Sequence, residues 1–404
     1  MRFSDVSSVP RRDEAVFHAH RFLLRAGLAI GNVFGWIFVF EYFFLLSSSL
    51  GRALAGTLLM YALSQLITVV LTPLAAAHLS RGTRRMLVWA VVLAAGAFVI
   101  LGATLGGFFD ETPVAWGIGA FAVFMGAYRA LYFIPYSLNR ADTEKARPQG
   151  RALFEVLLAL IPAFAGATLV LEAYAPLRLL FGAALFAGVS ALPLFLIPDI
   201  HERFSFSYLE TFRELFSPRN RRIFWTSFLE GVQGAALFLI WPLAVFLIVG
   251  WSYMLLGVIF TITLLLVMLF RVLYKKYLPS TGVRYSPPVH VVLAMSGWIA
   301  RLAAGTPLTV IIADSYAYAG HTPRGTLTDA FSFEQAADRG SFIDESTVLK
   351  ELALAGGRIA LVVIVGLCVL ATPLVVAFGA AIVLAALAAG ISVFLAHKSH
   401  IPAY

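Results

Sequence analysis

Five ionisable residues of this 404-residue chain lie inside long apolar stretches: Glu41, Arg129, Glu230, Arg301 and Asp314. A charge at the centre of a membrane helix costs about 2.5–3.5 kcal/mol on insertion scales, so it persists where it is paired, hydrated or used. A carboxylate beside an arginine can exchange a proton as its surroundings change, because the arginine favours the ionised form. Polar and aromatic residues accompany these charges: Asn32, Trp36, Tyr132, Gln233, Trp241 and Tyr316. On a helix, Tyr132 shares a face with Arg129 one turn away. A cavity with such a lining suits an uncharged or singly charged organic molecule, or an amphiphile, better than a multiply charged ion. The same aromatics would serve equally as packing or as an interface belt.

Other chemistries lack their residues. No lysine follows a glycine, so there is no phosphate-binding loop of the Walker type, and neither His-Glu-x-x-His nor Gly-x-Ser-x-Gly occurs. Gly117-Ile-Gly119-Ala-Phe-Ala122 imitates a dinucleotide fingerprint but lies inside an apolar run without strands around it. His397 and His400 read as part of an exposed tail rather than a metal site. The acidic stretch from His321 to Lys350 lacks the ligand spacing of a calcium loop and reads as a solvated loop, a candidate part of an inner gate. The single cysteine, Cys368, excludes an internal disulfide. The expectation is a protein that is not an enzyme and carries no cofactor or metal.

The elements that must position these residues follow from composition. Sixty per cent of the chain is hydrophobic and only 13% charged, about half the charged share of a soluble protein. At about 20 residues per span that stock supplies roughly twelve membrane helices. Apolar runs place them at about 22–46, 54–77, 86–105, 114–136, 152–171 and 179–198, then 223–248, 252–270, 288–304, 306–320, 352–370 and 373–395. The net charge of +8 comes in short clusters between these runs, such as Arg81–Arg85, Arg140–Arg151, Arg213–Arg222 and Arg271–Arg284. That is the distribution of topology signals and not of a nucleic-acid site. It puts both termini in the cytoplasm. The boundaries read as a cytoplasmic segment 1–21, a six-helix bundle 22–198, a linker 199–222, a second six-helix bundle 223–395 and a tail 396–404. Within the linker, Phe204, Tyr208, Phe212, Leu215 and Phe216 follow helical spacing, which fits a helix on the membrane surface or one packed on the bundle. Gly27, Gly31 and Gly35 recur every four residues, a pattern of close helix packing or of a hinge.

The two halves share a plan. Helices two and eight each lead into a basic loop, and the loops after helices four and ten each end in Gly-Arg, at Gly150-Arg151 and Gly357-Arg358. In these features, and in its basic loop from His78 to Arg85 with Gly82 and Arg84-Arg85, the chain resembles the major facilitator superfamily. The acidic residue of that family's loop motif is missing here, as is its glycine-rich antiporter signature on helix five. The resemblance implies an all-α membrane fold of twelve helices in two six-helix halves, with helices one, four, seven and ten lining a central cavity. Glu41, Arg129, Glu230 and Asp314 fall on those four helices.

Glu230 and Arg129 each lie about seven residues from the inner end of their helices, roughly 10 Å deep. They are the expected facing pair. Glu41 lies nearer the outer end, where it could reach water, and Arg301 either snorkels outward or pairs with Asp314 across a tight hairpin. The expected function is secondary active transport of a small organic solute by alternating access. Protons are the candidate coupling ion, with uniport also open. The alternative is a lipid or amphiphile translocator of the same fold. The expected setting is a plasma membrane of the bacterial inner-membrane type, the expected oligomeric state a monomer, and nucleic acid is not an expected partner.

Overall fold

A backbone in hydrocarbon must satisfy its own hydrogen bonds, which restricts an open chain to helices. The computed structural model follows that rule: it describes residues 11–108, 114–143, 151–171, 175–277, 287–320 and 345–397, and among them there is no strand. The first group of helices is α1 (Arg11–Ser47), α2 (Leu50–Ala77), α3 (Thr83–Leu105), α4 (Val114–Thr143), α5 (Arg151–Leu171), α6 (Ala175–Val189) and the short α7 (Ala191–Leu194). Helix α8 (Tyr208–Leu215) follows. The second group is α9 (Arg221–Ala235), continued through a π-helical turn at Ala236–Ile240 into α10 (Trp241–Ile248), then α11 (Tyr253–Tyr277), α12 (Pro287–Ala300), α13 (Pro307–Gly320), α14 (Glu345–Ala371) and α15 (Leu374–His397). Ten helical stretches among the described residues are long and apolar enough to cross a membrane. Helices α12 and α13 have 14 residues each and are shorter.

Packing divides these helices. In the first group α3 lies against α4 and α6, and α2 against α1 and α4. In the second, α9 lies against α14 and α15, and α12 against α13 and α15. Two seams join the groups, α5 with α11 and α2 with α14. At the first seam a Cβ on Gly166 would overlap the Tyr253 carbonyl, and one on Gly257 would overlap the Pro162 carbonyl. Two backbones therefore touch directly there, and the Ala163 amide donates to Thr261 Oγ1 at 3.1 Å. The glycine repeat of α1 is likewise a packing surface, since a Cβ at Gly27 would meet the Ala183 carbonyl and one at Gly31 the Phe98 ring.

Several boundaries differ from the apolar runs, each time because an amphipathic stretch continues a helix past its apolar core. Helix α1 begins at Arg11 and not at residue 22, and Phe17, His20 and Arg21 are buried. Helix α14 begins at Glu345 rather than 352 and buries Thr347, Val348, Leu349, Leu352 and Ala353. Gly357 and Arg358 therefore sit in mid-helix and do not end a loop. Helix α8 packs on the bundle through Leu215 and Phe212, leaving Leu209 and Phe216 exposed. Its start is set by Glu210, whose carboxylate accepts the Ser207 amide at 3.1 Å. The loop between α2 and α3 lacks an acidic residue of its own, yet Asp199 arrives after α7 and accepts the Arg84 amide at 2.9 Å. Residues 1–10, the loop at 144–150, the acidic stretch at 321–344 and the tail from 398, with His400, lie outside the described residues.

Candidate functional site

Asp314 is the single charged residue of helix α13 and is 2% exposed. Two local devices supply its partners. Thr306 and Thr309 exchange hydrogen bonds at the head of α13, the Thr306 amide donating to Thr309 Oγ1 at 2.9 Å, and Pro307 opens the helix. The hairpin from α12 is thereby tight, and Arg301 Nε donates to Asp314 Oδ1 at 2.7 Å. The second device is the π-helical turn before Trp241. One extra residue per turn rotates everything after it by about 100°, and the ring of Pro242 crowds the carbonyl one turn back. Trp241 Nε1 then donates to Asp314 Oδ2 at 2.9 Å. Both carboxylate oxygens are occupied.

The Arg301 guanidinium lies over the rings of Trp298 at 4.3 Å, Trp241 at 5.4 Å and Tyr318 at 5.8 Å. One carboxylate and three aromatic faces replace the water this cation has lost. Of the two readings open for Arg301, the structure takes the pair with Asp314. Beside the pair is a cavity of 40 Å³ between the two helix groups, lined by Asn32, Trp241, Thr263, Asp314 and Tyr318 among apolar side chains. Asn32 Oδ1 and Thr263 Oγ1 are buried and have no hydrogen-bond partner among the described residues. A buried water needs about 10–15 Å³, so the space is large enough for water.

A second polar cluster lies on α2 and α4. The buried Arg129 stands over the Tyr61 ring at 5.5 Å, and Trp36 packs edge-on against Tyr61 and tilted against Phe121. One turn along α2 from Tyr61, Gln65 Oε1 accepts from Arg358 Nη1 at 3.2 Å, which links α2 to α14 across a seam. Arg358 is 2% exposed, and its Nε is 3.8 Å from where a Cβ on Gly234 would be, one turn from the half-buried Glu230. Tyr132 faces another way: its hydroxyl is 3.1 Å from His20 Nε2, while His20 Nδ1 donates to the Ser190 carbonyl at 2.7 Å. The buried Gln233 amide donates within its own helix to Leu229 at 3.3 Å.

Glu41 accepts the hydroxyl of Tyr253, from the start of α11. Around this bond Phe34, Phe38 and Phe246 pack on Tyr253, and Phe40 and Phe44 on Trp251. Trp251 has a left-handed φ of 68°, a conformation that costs a non-glycine residue of order 1 kcal/mol or more. At the other end of the molecule α14 closes on α2 and α4, with Val348, Leu349 and Leu352 against Ala75, Ala76, Ile134 and Leu138. Thus the described residues close the space between the groups at both ends.

The structure brings Asp314, Trp241 and Asn32 together at one cavity. It places Arg129 and Trp36 in the second cluster, Glu41 at the contact with Tyr253, and Tyr316 on the exposed face of α13 with its hydroxyl 2.9 Å from Ser296 Oγ. Tyr318, one of the residues sequence reasoning passed over, takes the cavity position. His20, Tyr61, Gln65, Tyr253 and Arg358 were also passed over. Of these, only His20 and Arg358 carry a signal, an ionisable group within helical reach of an apolar run.

No protein-family model and no curated protein matches the sequence. Solved structures do resemble the fold. The POT family transporter PepTSo superposes with a TM-score of 0.67 at 13% identity, covering 98% of this chain and 100% of its own. The xylose transporter XylE from E. coli, in a partially occluded inward-open conformation, gives 0.64 at 10% identity over 96% and 97%. The nucleoside transporter NupG gives 0.58 at 13% over 94% and 99%. At such identities the likeness speaks for the fold, and it runs the length of the chain: this is a multi-pass membrane protein with the major facilitator fold.

Proposed function

We propose that the protein is a secondary active transporter that moves a small organic solute by alternating access. The observation that carries this reading is the Asp314 carboxylate, held by Arg301 and Trp241 beside a cavity between two groups of helices whose described residues meet at both ends. Transporters of peptides, xylose and nucleosides share the fold, and one similar structure is named a D-xylose–proton symporter. In this reading twelve helices span the membrane, α12 and α13 among them, as two bundles at 22–198 and 223–395 joined by the linker 199–222. Both termini are cytoplasmic, the setting is a bacterial inner membrane, and one chain suffices.

Asp314 and Glu230 are the proton carriers in this proposal. Protonating Asp314 weakens its hold on Arg301 and frees the cavity edge at Trp241. Glu230 acts deeper, with Arg129 and Arg358 as the cations that favour its ionised form. Purified protein in liposomes, given a pH gradient and a panel of peptides, sugars and nucleosides, tests the proposal. Gradient-driven accumulation of one solute class is expected, together with its loss in Glu230→Gln and in the double variant Asp314→Asn/Arg301→Gln, which leaves no lone buried charge, while solute exchange persists. Accumulation that ignores the gradient in the wild type removes proton coupling and leaves uniport. Absence of flux for every solute, with flip of labelled lipid instead, replaces the solute carrier by an amphiphile translocator.

A further inference from the structure

A groove of 320 Å³ runs along the surface where α2, the loop after it and α3 meet. Its walls include Leu71 and Leu74 of α2 and Trp89 of α3, and Leu74 and Trp89 are 45% and 54% exposed. His78, Arg81 and Arg85 stand at one end of it, and both arginines are exposed. The backbone explains the gathering. His78 follows Leu71 and Leu74 on one face of α2, Arg85 precedes Trp89 by one turn of α3, and Gly82, at a φ of 102°, turns the chain between them. Asp199 lies beside Gly82 and accepts the Arg84 amide at 2.9 Å. His78 Nδ1 donates to the Leu74 carbonyl at 2.8 Å, which holds the imidazole at the groove.

We infer that this groove binds an anionic phospholipid, its phosphate between Arg81 and Arg85 and its acyl chain along Leu71, Leu74 and Trp89. Two features select that occupant. The charge of the groove end is positive beyond what Asp199 offsets, which favours an anionic over a zwitterionic head group. The rest of the groove is apolar and opens on the outer faces of α2 and α3, where Leu66, Val70 and Val92 are exposed in a membrane-spanning part of the chain. A soluble phosphate compound would leave that wall unused. The site lies at the surface and does not depend on which solute the central cavity takes. It does bear on the fold's movement, because α2 also forms the seam with α14.

Native mass spectrometry of the purified protein in micelles with equal phosphatidylglycerol and phosphatidylcholine tests the assignment. The wild type is expected to retain phosphatidylglycerol over phosphatidylcholine by roughly thirtyfold, the preference that two arginines at about 1 kcal/mol each would give. Arg81→Gln/Arg85→Gln should lose that preference, while Arg219→Gln/Arg221→Gln, an equal loss of exposed charge elsewhere, should keep it. Should the first pair reduce the melting temperature, Arg85→Gln alone serves, with a partial loss expected. Three results would overturn the site: no preference in the wild type, the same loss in both double variants, or displacement of the lipid by glycerol 3-phosphate at matched concentration.

Discussion

Asp314 and Arg301 show why a buried charge in a membrane helix repays attention residue by residue. With Arg301 and Asp314 3% and 2% exposed, neither reaches bulk solvent, so each is tolerated chiefly through the other and through the groups around them. Asp314→Asn or Arg301→Gln alone should lower stability by about 3 kcal/mol or more, because a lone buried charge is left behind. The double variant should recover much of that loss, read as melting temperature in detergent. Glu41 behaves differently. Its bond to Tyr253 crosses from α1 to α11, so Tyr253→Phe should favour the outward-open form more than it lowers stability. A hydrogen bond worth about 1.4 kcal/mol shifts such an equilibrium roughly tenfold. A cysteine at Val33 in a Cys368→Ser background, labelled from outside, would report the shift, and an unchanged labelling rate would remove Tyr253 from the outer closure.

At the scale of elements, the contact of α5 with α11 depends on side chains being absent. Gly166 and Gly257 let the backbones meet, and the bulk of a leucine at either would push the seam apart. Gly257→Leu should therefore reduce transport strongly while the protein still inserts, whereas Gly119→Leu, where the space is open, should be near neutral. Uptake and membrane yield of the two variants compare them directly, and equal activity would mean that α11 slides freely on α5. The π-helical turn of α9 and α10 belongs at this scale too. It was invisible in the hydropathy of 223–248, because one added residue leaves composition unchanged while turning Trp241 toward Asp314.

For the whole molecule the closures at the two ends matter together. Ser137 Oγ and Thr347 Oγ1 are 3.5 Å apart at one end, and the rings of Phe40 and Trp251 are 5.7 Å apart at the other. Alternating access requires each end to open in turn. A disulfide from Ser137→Cys/Thr347→Cys, or a short bifunctional thiol crosslinker between Phe40→Cys and Trp251→Cys, should each stop transport, with recovery when the link is a reducible one. Transport that continues through either lock would contradict alternating access by separation of these helices.

Composition by itself determined that the chain spans a membrane as helices, because so much apolar surface has no other home and lipid accepts no unsatisfied backbone. The five charges inside apolar runs were equally plain, since a carboxylate or guanidinium interrupts such a run visibly. Which charges meet was not legible. Arg301 and Asp314 are 13 positions apart and joined by a short turn, so their pairing was one of two readings open in the sequence. The contacts of Arg358 with Gln65 and of Tyr253 with Glu41 span 293 and 212 positions. Such contacts depend on how helices rotate and cross, and that is set by where glycines allow backbones to touch and where bulky rings do not. Hydropathy averages over a helix's circumference, whereas a site is made by one face of each helix. Only the packed structure therefore decided that Tyr318, and not Tyr316, looks into the cavity.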